Sequence, residues 1–205
     1  MDSKTLFTRE IIFHDKIDVD DKKLIKALKG NKSVVSDNDR CKFLQYYPTE
    51  PSQVIDDFFN IISTHMNDIM ENTYEFEVDN MGYGLSAIWY NWSNSKFNSR
   101  YEPLQLHYHP NAWFSGVYYP DQKNVLKIEF RDEQRPLTIL PKVKKFNTLN
   151  CSKWIYEFEP KTVVLFPSTL RHAAVQDIPG IRKSISFNIF PRGEVDDCFA
   201  NKLYL

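Results

Sequence analysis

Gln105 to Tyr119 reads QLHYHPNAWFSGVYY, and the rest of the chain is best understood from this stretch outward. It places His107 and His109 one residue apart in a segment that reads as extended chain, and SGVYY follows as a run of strand-forming residues. Side chains alternate along a strand, so positions i and i+2 share a face and both imidazoles would point to one side. A third histidine, His172, lies far downstream in FPSTLRHAAVQ, and Arg182 follows ten residues later in RKSISFNIF. A metal centre needs ligands that converge from different parts of a fold, and imidazole suits the first-row metals. A local pair with a remote third would hold one side of an octahedron and leave three positions open. The same pattern arises when a strand merely happens to carry two histidines. His14 and His65 fall outside it and are expected to be dispensable.

RKSISFNIF strengthens the metal reading. Period-two alternation puts Arg182, Ser184, Ser186 and Asn188 on one face, with Lys183, Ile185, Phe187 and Ile189 on the other. A polar row in a segment that otherwise looks like core calls for a purpose, because a buried guanidinium without a partner is costly. A carboxylate gripped in bidentate fashion satisfies it best, with hydroxyls completing the hydrogen bonds. SGVYY likewise aligns Ser115, Val117 and Tyr119. An anionic ligand held by Arg182, a serine and Tyr119 beside a metal is the simplest account. A solvent-exposed face, with Lys183 equally able to pair with a surface acid, is the competing one.

Outward from this core, the chain reads as helices first and strands afterwards. TLFTREIIFH (5–14) reads as a strand, and DVDDKKLIKALKG as a short helix stopped by Gly30. Residues 31–41 read as a polar loop. PSQVIDDFFNIISTHMNDIMEN is an amphipathic helix, with Val54, Ile55, Phe58, Phe59, Ile62, Met66, Ile69 and Met70 at spacings of three and four. Strands are expected at 74–78, 83–92, 125–130, 154–158, 162–167, 171–176 and 182–190, separated by a polar loop at 93–103 and a Pro-flanked basic connection. The expected fold is mainly β with N-terminal helices: a jelly-roll or cupin-like sandwich buttressed by α-helices. One domain over 1–205 is expected, with 1–80 supporting a β core at 83–190.

Composition narrows the function classes. Twenty-six basic and 27 acidic residues give a net charge of −1, so no global field draws the chain to nucleic acid or membrane. Three widely spaced cysteines favour a reducing compartment over a disulfide framework. MDSKTLFTREIIFHDK has no apolar signal core, and a cytoplasmic protein is expected. Lys142, Lys144 and Lys145 in the segment 141–148 read first as a solvated loop, with an acidic partner as the second reading; with the loop 93–103 they are expected near the mouth of a cleft.

HYHPNAWFSGVYY, VLKIEF, EPKTVVLFPSTLRHAAV and GIRKSISFN, taken in order, resemble the 2-oxoglutarate- and Fe(II)-dependent dioxygenases. Within these the resemblance is to the oxygenases of bacteria and of tailed phages of cyanobacteria, near the prolyl 4-hydroxylases, and it spans roughly residues 85–190. It implies a double-stranded β-helix that uses Fe(II), 2-oxoglutarate and dioxygen, with ascorbate as a reductant, and releases succinate and CO2. His107 and His172 would take the first and distal ligand positions. Arg182 would grip the far carboxylate of 2-oxoglutarate, assisted by Tyr119 and by Ser184 or Ser186, with Ser115 and Asn188 on the same two faces. The implied activity is hydroxylation of a protein side chain, proline first, or of a small molecule, with no catalytic residue beyond the metal ligands. A phage-encoded member would work in the host cytoplasm, and a homo-oligomer is compatible with the sequence. The chain departs from the wider superfamily at one place: His109 stands where H-x-D carries a carboxylate. An alternative register puts His109 first and Asn111 in the carboxylate position, but asparagine is a poor metal ligand. The missing carboxylate also supports a different class, a non-catalytic cupin-like protein that binds a metal or another ligand.

Overall fold

The computed structural model describes residues 11–79, 81–96, 106–123, 126–132, 142–147, 150–175, 177–196 and 202–204. After β1 (Phe13–Lys16), α1 (Asp21–Leu28) starts at Asp20, whose carboxylate accepts from Lys23 N and caps the first turn. A hairpin follows, β2 (Asn31–Asp37) and β3 (Cys41–Tyr47), and then the long helix α2 (Gln53–Asn72). The remaining strands are β4 (Met81–Ser95), β5 (Phe114–Tyr118), β6 (Leu126–Arg131), β7 (Lys153–Phe158), β8 (Thr162–Pro167), β9 (Arg171–Val175), β10 (Gly180–Asp196) and β11 (Lys202–Tyr204). Among the described residues no helix is long and apolar enough to cross a membrane.

Two antiparallel sheets form. The larger runs β1-β8-β5-β10-β4-β3-β2, with β11 on the end of β10, and the smaller runs β7-β6-β9. This is the expected jelly roll with helical buttresses. Strand alternation divides the large sheet. Its outer face gives Ile88, Tyr90, Tyr118, Val163, Leu165, Ile185, Phe187 and Ile189 to a core shared with Leu24, Leu28, Ile55, Phe58, Ile62, Met66 and Met70 of the two helices. Its inner face gives Val117, Tyr119, Val164 and Phe166 to a second core with Leu126, Ile128, Phe130 and Phe158 of the small sheet. Tyr118 Oη also donates to Asp21 Oδ1 at 2.7 Å, which pins the start of α1 to β5.

Gly116, at the centre of β5, is required by close approach. A Cβ there would lie 2.3 Å from Cε2 and Cζ of the fully buried Phe187 ring on β10. The spacing of SGVYY therefore carries a packing constraint as well as a polar face.

Several expectations change. The segment 31–41 is the first strand of an edge hairpin rather than a loop. Its polar residues face solvent while Cys41, Phe43 and Leu44 are buried, and Asn38 Oδ1 closes the turn by accepting from Arg40 N and Cys41 N. YEFEV at 74–78 is no strand: Glu75 takes φ 56°, and Tyr74 N and Phe76 N donate back to Ile69 O and Met70 O, capping α2. The first strand spans only Phe13–Lys16 among the described residues, and the positions of 5–10 lie outside them. Of the loop 93–103, Ser93 to Ser95 belong to β4, and 97–103 lie outside the described residues. In the segment 141–148, residues 142–147 have no regular element, and Lys142, Lys144 and Lys145 are exposed.

Candidate metal centre

Residues 106–119 are not one continuous strand. Pro110 has no N–H to give a ladder, and the chain turns there before β5 begins. His107 is held instead by an isolated antiparallel bridge to His172, with His107 N donating to His172 O at 3.1 Å and His172 N donating to His107 O at 2.9 Å. Two residues on, His109 N donates to Ser168 O at 2.9 Å. The backbone thus runs extended past β9, and both imidazoles turn to the same side.

This brings the three histidines together. One ring nitrogen from each of His107, His109 and His172 lies within 4.8 Å of the others, and ring centroids are 4.5 Å (His107–His172), 4.9 Å (His107–His109) and 5.2 Å (His109–His172) apart. His172 Nδ1 is 3.0 Å from Leu170 O. A carbonyl only accepts, so Nδ1 carries the proton and Nε2 keeps its lone pair for a metal. Burial, reinforced by His107, holds His109 down at about 4, and burial with its two histidine neighbours holds His172 at about 3. Both are neutral at physiological pH, the state in which imidazole ligates.

Beyond the triad, the inner faces of β4, β5 and β10 form one polar surface. Asn91 sits at its centre: its Oδ1 accepts from Gln45 Nε2 at 3.1 Å, and its Nδ2 donates to Ser186 Oγ at 2.9 Å and Ser184 Oγ at 3.4 Å. Each serine oxygen is therefore an acceptor toward Asn91, and its own hydroxyl proton is left to donate elsewhere. Arg182, 6% exposed, leans over the Tyr119 ring at 5.7 Å and reaches Ser184 Oγ from Nη1 at 3.5 Å. Its Nε and the Tyr119 hydroxyl are buried with no hydrogen-bond partner. Among the described residues no carboxylate pairs with Arg182. Burial pushes the Tyr119 hydroxyl up to about 12, against the pull of the Arg182 cation, so it is a neutral donor. Orphaned donors beside an unpaired guanidinium fit an incoming carboxylate.

The three histidines, Arg182, Tyr119, Ser115, Ser184 and Ser186 all line one pocket. Asn188 stands behind that wall. Its Oδ1 accepts from Ser115 Oγ at 3.0 Å and its amide nitrogen lies 3.5 Å from His109 Nδ1, so it braces a histidine rather than facing the cavity. His14 and His65 lie away from the pocket, His65 Nδ1 standing 3.9 Å from Asp15 Oδ2. Residues 142–147 of the basic segment are not among the described lining side chains. Trp89 and Asn91 on β4 and Phe43 on β3 do line it, and sequence reading gave them no role. The signal existed in β4, where period two sets Trp89, Asn91 and Ser93 on one face of a strand otherwise rich in core residues, as in β10.

Residues 88–188 match the family model described as "Putative 2OG-Fe(II) oxygenase". Among solved structures, the chain is similar to an oxidoreductase of the 2OG-Fe(II) oxygenase family from Burkholderia pseudomallei at a TM-score of 0.57 and 11% identity, over 88% of this chain and 84% of that one. HygX from Streptomyces hygroscopicus, solved with nickel and 2-oxoglutarate, aligns at 0.43 and 11% over 90% and 85%. A prolyl-4-hydroxylase from Pseudomonas putida aligns at 0.39 and 12% over 73% and 69%. No curated protein matches the sequence.

Proposed function

We propose, for a chain that belongs to the 2-oxoglutarate- and Fe(II)-dependent oxygenase superfamily, that it hydroxylates a side chain of a protein or peptide. The observation that carries the reading is the pairing, in one pocket, of three converging histidines with a buried guanidinium that has no carboxylate partner among the described residues. When bound, Fe(II) and 2-oxoglutarate together supply oxygen activation, coupling conversion of the cosubstrate to succinate and CO2 with hydroxylation.

The chain's own residues bind, orient and exclude water. His107, His109 and His172 would hold the metal. Leu170 O fixes the His172 tautomer, and the Asn188 side chain, held by Ser115, packs 3.5 Å from His109 Nδ1. Arg182, Tyr119 Oη and the Ser184 hydroxyl would take the distal carboxylate, with Asn91 setting both serines. Val117, Ile128 and Phe166 keep the wall between them dry. No side chain is needed to carry a proton in the reaction. Three imidazoles bring no negative charge to the metal, which relaxes selectivity for iron toward copper, nickel or zinc. Succinate release from 2-oxoglutarate with Fe(II), ascorbate and dioxygen, with and without a peptide library, tests the reading. Absence of Fe(II)-dependent succinate and of 2-oxoglutarate binding would leave the non-catalytic reading in its place.

A further inference from the structure

We propose that Trp89 forms the substrate subsite and grips an amide carbonyl with its indole N–H; this rests on the oxygenase reading and names what the same pocket accepts. Along the inner face of β4, burial deepens from exposed Ala87 through half-buried Trp89 to Asn91 at 3% and Ser93 at 1% exposure. The opposing residues on β10 are Asn188, Ser186, Ser184 and Arg182 in turn. The guanidinium therefore lies at the deep end of the pocket. Trp89 lies toward the open end, its ring centroid 5.9 Å from that of His109.

Trp89 Nε1 is buried and has no hydrogen-bond partner. Indole nitrogen only donates, and a buried donor left unmade costs free energy that a ligand oxygen recovers. The ring offers a flat apolar wall to the aliphatic carbons beside that oxygen. The charge of the acceptor follows from the lining: Arg182 is its only cationic side chain among the described residues, and it lies at the other end. In the loaded protein 2-oxoglutarate already brings negative charge to the metal and to Arg182, and the Trp89 N–H is itself uncharged, so a neutral amide oxygen suits the subsite better than a second carboxylate.

Indole 15N–1H resonances of the Zn(II)- and 2-oxoglutarate-loaded protein read this directly. The four tryptophans give four signals, and Trp89→Phe assigns one of them. The probes are a blocked tripeptide, acetyl-Ala-Pro-Ala-methylamide, together with N-methylacetamide and acetate. Saturable movement of the Trp89 signal with both amides, and not with acetate, is expected. Tighter binding of the tripeptide identifies a peptide source, and equal binding a small amide. Trp89→Phe keeps the aromatic wall and should weaken amide binding about three- to tenfold, the worth of one neutral hydrogen bond. Zn(II) and 2-oxoglutarate affinities measured on the same samples separate the two failures. If neither binds, the oxygenase reading falls. If both bind but the Trp89 signal is silent, follows acetate equally, or Trp89→Phe binds amides as well as wild type, the subsite assignment alone is overturned.

Discussion

Replacing Arg182 with methionine should push stability and cosubstrate binding in opposite directions. Arg182 is 6% exposed, it has no carboxylate partner among the described residues, and its Nε is unsatisfied. The Tyr119 ring at 5.7 Å and a 3.5 Å contact to Ser184 offset only part of that cost. Buried ionic groups replaced by apolar residues of similar volume gain about 1–4 kcal/mol where the charge is poorly compensated, and access to the pocket argues for the low end. A gain of about 1 kcal/mol raises the melting temperature of a chain this long by about 2–4 °C. Binding behaves otherwise. Removing one partner of a buried charge pair costs about 2–5 kcal/mol, or roughly 30- to 4,000-fold in the dissociation constant of 2-oxoglutarate. Zinc affinity should stay within error, since Arg182 touches none of the three histidines.

Differential scanning calorimetry of the metal-free protein gives the first quantity, and isothermal titration of 2-oxoglutarate into the zinc-loaded protein gives the second. A metal-free Arg182→Met variant that melts below wild type, with unchanged 2-oxoglutarate affinity, is the contrary outcome. Arg182 would then be a structural residue with a partner in the folded chain, and the carboxylate anchor would have to be sought elsewhere.

Acidification should destabilise the metal-free protein well above the carboxylate range. The unfolded chain protonates its histidines near 6.5, whereas the folded protein resists until about 4 at His109 and about 3 at His172. Between those values the unfolded state binds more protons, so this stability is complete above 6.5 and is lost as pH falls through the window. The urea midpoint should drop between pH 7.5 and 5 in the metal-free protein, and a flat midpoint would contradict it. His109→Asp restores a negative ligand and should tighten Fe(II) binding on the order of tenfold, about 1.4 kcal/mol, in competition assays against a chromogenic chelator; weaker binding would place that side chain off the metal. Gly116→Ala forces a methyl onto Phe187 and should cost about 1–3 kcal/mol, read as a lower melting temperature with intact zinc stoichiometry.

Much of the fold was legible because its signals are local. The period of α2, the alternation in β6 and β10 and the order of helices before strands all follow from which face each residue buries. The elements that escaped depend on what lies beside them. β2 shows no amphipathic pattern because an edge strand with solvent on both faces needs none, and only pairing to β3 makes it a strand. Residues 74–78 alternate well, but their amides serve the end of α2. At the site, the three histidines could be selected by sequence spacing, yet their convergence depends on the His107–His172 bridge across 65 residues. Asn188 shows the limit of alternation. It shares a face with Arg182, and that says nothing about whether it meets the cavity or the back of a histidine.

The charges in the proposed site constrain which ligand can occupy it. A divalent ion on three neutral imidazoles keeps its full +2, and Arg182 adds a further positive charge at the far end of the same polar row. Asn188, beside His109, and Ser184, beside the guanidinium, are four residues apart on β10, about 13 Å of strand at ~3.3 Å per residue. A monocarboxylate can neutralise one end and leaves the other uncompensated in a poorly hydrated pocket. A dicarboxylate can meet both at once. Metal and cosubstrate should accordingly bind with positive coupling, each supplying or removing charge the other would otherwise face alone, and thermodynamic reciprocity makes that coupling equal in both directions. A 2-His-1-carboxylate centre would already have cancelled one unit of the metal's charge. Histidine in place of that carboxylate therefore shifts the work of neutralisation onto the cosubstrate, and the metal should be held more weakly before 2-oxoglutarate arrives than after.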